Sequence, residues 1–246
     1  MRLLKCLFWI LYRSWFYVLA GAIIVLVAPA MLIFLSRLQW YPTFYKLARL
    51  WGRILLAGMG YRWTTTSETH LEKGKNYMFI GNHTSMLDPM LMLDVVKHNP
   101  IVFVGKQELE KIPIFGYFYR KSCILVNRAA TDSRINVYPQ AQARLDAGFS
   151  IGIFPEGGVP DESIDLDDFK NGAFRLAIQY QIPIVPMIFV GPKKLFSFTY
   201  FSGGPGKLST HVMPIIETKG LTIEDLASLK KSTRELMLKE VLARGV

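Results

Sequence analysis

Tyr77-Met78-Phe79-Ile80-Gly81-Asn82-His83-Thr84-Ser85-Met86-Leu87-Asp88-Pro89 decides how this chain is read. Four apolar residues suit a buried strand, Gly81 opens a turn, and Pro89 suits the first turn of a helix. His83 and Asp88 fall in the turn between strand and helix. Five residues of α-helix rotate through about 500°, so the two side chains would not share a helical face and have to meet across an irregular loop. Asp88 precedes a proline, which biases it away from helical backbone and lets its carboxylate fold back toward the imidazole. Thr84 and Ser85 can satisfy free backbone groups there. A histidine oriented by a carboxylate is a general-base arrangement suited to drawing a proton from a weak alcohol. The alternative is that His83 only completes a loop and Asp88 only caps a helix.

Outward from this stretch, short apolar runs alternate with helical patterns, as expected of an α/β sheet domain flanked by helices. Strands are predicted at Tyr77–Ile80, Ile101–Val104, Cys123–Val126, Ile151–Phe154 and Ile184–Phe189. Helices are predicted over about Pro89–Lys97, Ile135–Asp146 and Gly172–Tyr180, with a last helix beginning near a Thr222/Asp225 capping arrangement. The length of 246 residues suits one catalytic domain plus an appendage, divided at residues 1–62 and 63–246.

The appendage is the basic and apolar part. Residues 1–67 hold Arg2, Lys5, Arg13, Arg37, Lys46, Arg49, Arg53 and Arg62 with no acid, and so carry eight of the ten net positive charges. An excess placed where the chain is most apolar argues for anionic lipid surfaces and against nucleic acid. From Ser14 to Ser36 no residue is charged, enough helix to cross a hydrocarbon layer of about 30 Å. Pro29 interrupts the run and cations flank both sides, which equally suits a bent, half-inserted hairpin. Leu38–Met59 mixes aromatics with Lys46, Arg49 and Arg53, as an interfacial amphipathic helix or a core helix would. Cys6 and Cys123 lack companions at ligand spacing, so no metal and no disulfide framework is expected, and a cytosol-facing domain fits.

Further along stand Lys106, Glu108, Leu109, Pro113 and Gly116; Arg128 at the end of Ile124-Leu125-Val126-Asn127-Arg128; Phe154-Pro155-Glu156-Gly157; Phe169-Lys170-Asn171-Gly172-Ala173; and Val185-Pro186. Together with Asn82-His83-Thr84-Ser85-Met86-Leu87-Asp88, in this order, these blocks resemble the glycerolipid acyltransferases over about residues 75–190. The resemblance implies a mixed-sheet domain with a membrane-associated amino terminus at the cytoplasmic membrane. It implies that His83 is the general base and Asp88 its orienting partner. It also makes Asn82, Ser85, Lys106, Arg128, Glu156, Gly157, Gly158 and Lys170 the candidate substrate-binding residues.

The implied reaction carries an acyl group from acyl-CoA or an acyl carrier protein to the free hydroxyl of 1-acylglycerol-3-phosphate, with no cofactor or metal beyond the thioester co-substrate. The partners implied are membrane lipids and a lysophospholipid. Where the family pattern continues Glu-Gly-Thr-Arg, this chain has Glu156-Gly157-Gly158-Val159. The missing arginine leaves room for another lysolipid acceptor, such as a lyso-aminolipid. A non-catalytic lipid-binding protein is the alternative from a different class.

Two motifs compete for attention. Gly148-Phe149-Ser150-Ile151-Gly152 matches the hydrolase Gly-x-Ser-x-Gly pattern but sits between helix and strand, the reverse of the nucleophile elbow. The acidic run Asp161, Glu162, Asp165, Asp167 and Asp168 lacks the spacing of a calcium loop and reads as solvated.

Overall fold

The computed structural model describes residues 2–127 and 130–246. Its amino-terminal helix α1 (Arg2–Phe34) turns through Leu38–Trp40 into α2 (Tyr41–Gly58). The domain then runs β1 (Arg62–Ser67), β2 (Met78–Gly81), α3 (Asp88–Val95), β3 (Ile101–Lys106), α4 (Phe115–Ser122), β4 (Ile124–Val126), α5 (Thr131–Asp146) and β5 (Ser150–Ile153). It closes with α6 (Gly172–Gln179), β6 (Ile184–Val190), α7 (Pro192–Leu195), β7 (Lys207–Val212) and α8 (Leu226–Arg244).

The strands form one mixed sheet in the order β1-β7-β6-β2-β5-β3-β4. All neighbours are parallel except β6 and β7, which pair antiparallel from Met187↔Val212 to Val190↔Ser209. Every residue of β2 is buried and only the last of β6 is not. Because successive strand residues point to opposite faces, helices must cover both sides of the central sheet, and the strands read as continuous apolar runs. The five predicted strands stand within one or two residues of their expected places. So do α3 and α6, and Thr222 and Asp225 form the expected capping box ahead of α8. β1, β7, α4 and α7 were not foreseen.

The amino terminus differs from expectation in detail. α1 begins well before Ser14 and takes in Arg13, which is buried. Its guanidinium donates to the carbonyls of Ser197 and Thr199 and lies over the rings of Phe196 and Tyr200. A charge expected to bracket the apolar run is instead solvated by the domain's own backbone. Pro29 sits inside α1 without ending it.

α2 runs back along α1: the Tyr12 hydroxyl donates to the Met59 carbonyl, Trp15 Nε1 to that of Gly58, and Trp51 Nε1 to that of Ala20. Both readings of the second segment have a face here. Tyr41, Phe44, Tyr45, Leu55 and Leu56 are core, with Tyr41 donating to the Ile101 carbonyl and Tyr45 to that of Val96. Lys46, Leu50, Arg53 and Ile54 face outward.

Candidate active site

The carboxyl ends of the parallel strands β2, β5 and β3 deliver His83, Phe154 to Glu156 and Lys106 to one edge of the sheet, where open α/β sheets place their sites. Asp88 is the first residue of α3 and is fully buried. Its Oδ2 accepts the backbone N–H groups of Thr84 at 2.6 Å and Ser85 at 2.8 Å, and lies 3.0 Å from His83 Nδ1. The carboxylate thus closes the five-residue loop on itself and reaches the imidazole across it. Facing an acceptor, Nδ1 carries the ring proton, which leaves Nε2 with a free lone pair. Burial pushes the Asp88 carboxyl above its ordinary range, while His83 and the two amides draw it back.

Glu156 holds the same loop from the next strand. It is buried, its Oε1 accepts the His83 backbone N–H at 2.7 Å, and its Oε2 accepts that of Asp167 at 2.9 Å. Burial pushes this carboxyl up to about 7 against the pull of those two donors. The Phe154 ring stacks on the imidazole with centroids 4.2 Å apart and 20° between planes. One imidazole face is therefore shielded by an apolar ring, and the ring is fixed at one edge by Asp88. The His83 side chain remains 22% exposed.

The other candidates divide. Asn82 is buried and makes a two-way bond with β6, donating to the Phe189 carbonyl and accepting the Phe189 N–H. Ser85 Oγ donates to the Phe196 carbonyl and accepts the Leu87 N–H. Both side chains engage backbone in this structure. Gly157 has φ +81, and a Cβ there would stand 3.1 Å from Lys170 Cγ, so the glycine admits the Lys170 stem close to the turn. Its N–H is taken by the Phe154 carbonyl. Gly158 and Val159 follow, partly buried, while Lys106 is an exposed cation at the end of β3 and Lys170 an exposed one just before α6, its N–H on the Pro155 carbonyl. Arg128 lies outside the described residues.

Ser150 opens β5 at the far end of the strand from His83, fully buried, with its hydroxyl accepting the Tyr77 N–H. No group of His, Cys, Asp and Glu able to hold a metal occurs among the described residues. Two features escaped the sequence: the Phe154 ring against His83, signalled only by its adjacency to Glu156, and the Phe196 carbonyl that receives Ser85.

A family model described as "Acyltransferase" matches residues 62–190. The 1-acyl-sn-glycerol-3-phosphate acyltransferase alpha of Mus musculus is 31% identical over 186 residues, covering 73% of this chain and 63% of that protein. The beta form from Homo sapiens is 26% identical over 179 residues, covering 72% and 64%. The matched part thus spans a little under two thirds of these relatives. The crystal structure of the 1-acyl-sn-glycerophosphate (LPA) acyltransferase PlsC from Thermotoga maritima superposes with a TM-score of 0.78 at 24% identity, over 99% of each chain, so the fold is shared from end to end. Because the matching family model covers more than half of the sequence and the whole stretch that holds His83, Asp88 and Glu156, the chain belongs to the acyltransferase family.

Proposed function

We propose that this protein transfers an acyl group from a thioester, acyl-CoA or acyl carrier protein, to the free hydroxyl of 1-acylglycerol-3-phosphate, giving phosphatidic acid. The observation that carries the reading is the His83 to Asp88 pair, oriented by a buried carboxylate and held by Glu156, on a chain of this family. His83 Nε2 takes the proton of the acceptor hydroxyl as its oxygen forms a bond to the thioester carbonyl. The resulting imidazolium is stabilised by Asp88. The tetrahedral intermediate then expels the thiolate, breaking the C–S bond, and His83 returns the proton to sulfur. No enzyme nucleophile is required. General-base action of this kind contributes about 10²- to 10⁴-fold, and positioning of the two substrates supplies much of the remainder.

The acceptor is a lipid, and the amino terminus suits a lipid surface. α1 is the one described helix long and apolar enough to cross a membrane. Leu7, Leu11, Val18, Val25, Leu26 and Ile33 on it are exposed, whereas Phe16, Ile23, Ile24 and Met31 pack inward. Docked by Trp9 and Arg13 at one part and touching α4 at another, the helix lies along the domain and sinks its outer face into one leaflet. Fully extracting a sixteen-carbon lysolipid would cost on the order of 11 kcal/mol at about 0.8 kcal/mol per methylene, so a site seated at the leaflet avoids most of that cost. The seated domain faces the cytosol, from which the soluble thioester arrives.

Val159, standing where the family pattern has arginine, favours a second reading in which another lysolipid is the acceptor. Purified protein with one labelled acyl-CoA and a panel of lysolipid headgroups tests both. Phosphatidic acid as main product, lost in His83→Ala, supports the first reading. Preferential acylation of an amino-headgroup lysolipid supports the second, and no turnover with any donor and acceptor pair overturns both.

A further inference from the structure

After β6 and the short helix α7, the chain reads Phe196-Ser197-Phe198-Thr199-Tyr200-Phe201, and three of its four aromatic rings point outward: Phe198 is 54% exposed, Tyr200 44% and Phe201 52%. A segment of this composition on a water-facing loop would ordinarily bury its rings. Here it is held out by α1 instead. Trp9 Nε1 donates to the Gly203 carbonyl and its ring meets Phe201 edge-on, while Arg13 collects the carbonyls of Ser197 and Thr199. Glu162 fixes the segment from the other side by accepting the Thr199 N–H.

The outward rings adjoin the exposed apolar start of α1, where Leu4 and Phe8 flank Trp9 and Gly203. At its other end Phe198 lines a small pocket with Thr84, Val159 and Ile164 and the charged side chains of Asp161, Glu162 and Lys193. Thr84 follows His83 directly, is buried, and its hydroxyl has no partner. The exposed apolar start of α1 is thus continued by Phe201, Tyr200 and Phe198 to a pocket apolar at Val159 and Ile164 and charged at its Asp161, Glu162 and Lys193 rim, which reaches Thr84 beside the candidate base. Exposed Lys194 and Lys207 bracket the segment in sequence, as suits a rim among anionic headgroups.

We infer that Phe198–Phe201 is a second leaflet-inserting element, one that seats against the bilayer beside α1 and forms the side entrance by which a single-chain lipid passes from the leaflet to His83. This rests on the acyltransfer reading only for the identity of the lipid; the insertion stands on the geometry.

The test uses the full chain in unilamellar phosphatidylcholine vesicles containing phosphatidylglycerol, with Cys6→Ala and Cys123→Ala, and an environment-sensitive fluorophore on one new thiol: Phe198→Cys, Phe201→Cys, or the control Lys219→Cys. Lys219 is exposed and follows Thr218, which bonds to Ile182 just before β6, at the opposite edge of the sheet. Labels at 198 and 201 should be quenched by acyl-chain spin-labelled lipid and shielded from iodide, with the 219 label the reverse. Iodide access at 198 and 201 equal to that at 219 overturns the insertion. Phe198→Ser should then lower kcat/KM for a long-chain acceptor in the bilayer about tenfold more than for a short-chain acceptor in solution, the scale of losing one buried aromatic contact. Equal losses on both acceptors overturn the entrance. A wild-type protein that acylates nothing overturns the proposed function instead, and leaves the quenching result to decide the loop.

Discussion

Glu156 Oε1 accepts the backbone N–H of His83 at 2.7 Å, so the glutamate of one motif fixes the main chain of another rather than its side chain. Asp88 orients the imidazole and Glu156 fixes the backbone that carries it. One carboxylate comes from the start of α3 and the other from the turn after β5, and the His83 loop is clamped between them.

Glu156→Gln separates those tasks. An amide keeps one acceptor oxygen but turns an N–H donor toward either the His83 or the Asp167 N–H, both of which now bond to carboxylate. The expected cost in stability is about 1–3 kcal/mol, read by urea denaturation, with a fall in kcat from a displaced His83. Unchanged kcat at unchanged stability would show that the clamp is not needed.

The same buried carboxyl gives the protein a pH signature. Its pKa is higher in the fold than in the unfolded chain, so the folded state holds more protons between the two values, and stability falls as pH rises through that window. For Glu156 the window runs from the ordinary carboxylate range up to about 7, and Asp88, also raised, adds the same sign. Denaturation midpoints should therefore decline between about pH 5 and 7.5 by this contribution. Glu156→Gln should flatten that decline; an identical slope in the variant would assign it elsewhere.

How far the sequence carries follows from burial. β2, β5 and β6 are flanked by strands on both sides, so their residues form apolar runs, broken only by Ser150 at the start of β5, and are legible. β1 reads Arg62-Trp63-Thr64-Thr65-Thr66-Ser67, is almost wholly exposed and lies at the sheet edge, so no apolar run or alternation marks it. β7 buries His211 between Leu208 and Val212, and its Thr210 and His211 disguise a strand. α4 is short, contains Gly116 and follows Pro113, all contrary to helical expectation. In the site, the five-residue spacing of His83 and Asp88 already required the two to meet across a turn, as they do, although Asp88 opens α3 instead of standing outside the helix as the following proline suggested. Asn82 and Ser85 could not be placed in this way, because their partners, the backbones of Phe189 and Phe196, are more than a hundred residues away.

Asp88→Asn and Asp88→Ala should part company. The asparagine oxygen can still accept the Thr84 and Ser85 N–H groups, so the fold should survive while the imidazolium loses its countercharge. By analogy with histidine–carboxylate pairs elsewhere, kcat should drop by about 10²- to 10⁴-fold. Alanine leaves two buried N–H groups without acceptors and should destabilise by roughly 2–4 kcal/mol as well. Calorimetry beside turnover distinguishes the two, and an Asp88→Asn protein with full activity would remove the carboxylate from the chemistry.

Arg13→Met tests whether α1 is a tether or a working part of the site. The arginine binds carbonyls of the Ser197–Ser202 segment, and the carbonyl of Phe196, immediately before that segment, receives Ser85, three residues before Asp88. Phe196 itself packs on Tyr12 and Phe16 of α1. Methionine retains most of the apolar stem but abandons the charge-assisted bonds, worth about 1.5–3 kcal/mol each before compensation by solvent or lipid. If α1 is only an anchor, the variant stays membrane-bound with unchanged kcat. If the chain of contacts from Arg13 through Phe196 to Ser85 supports the loop, kcat falls several-fold while membrane binding is retained. Hydrogen exchange should then speed up at Thr84 and Ser85, whose N–H groups Asp88 holds. The second outcome is the one expected, because Phe196 joins the two ends of that chain: its ring packs on α1 and its carbonyl holds the loop of the candidate base.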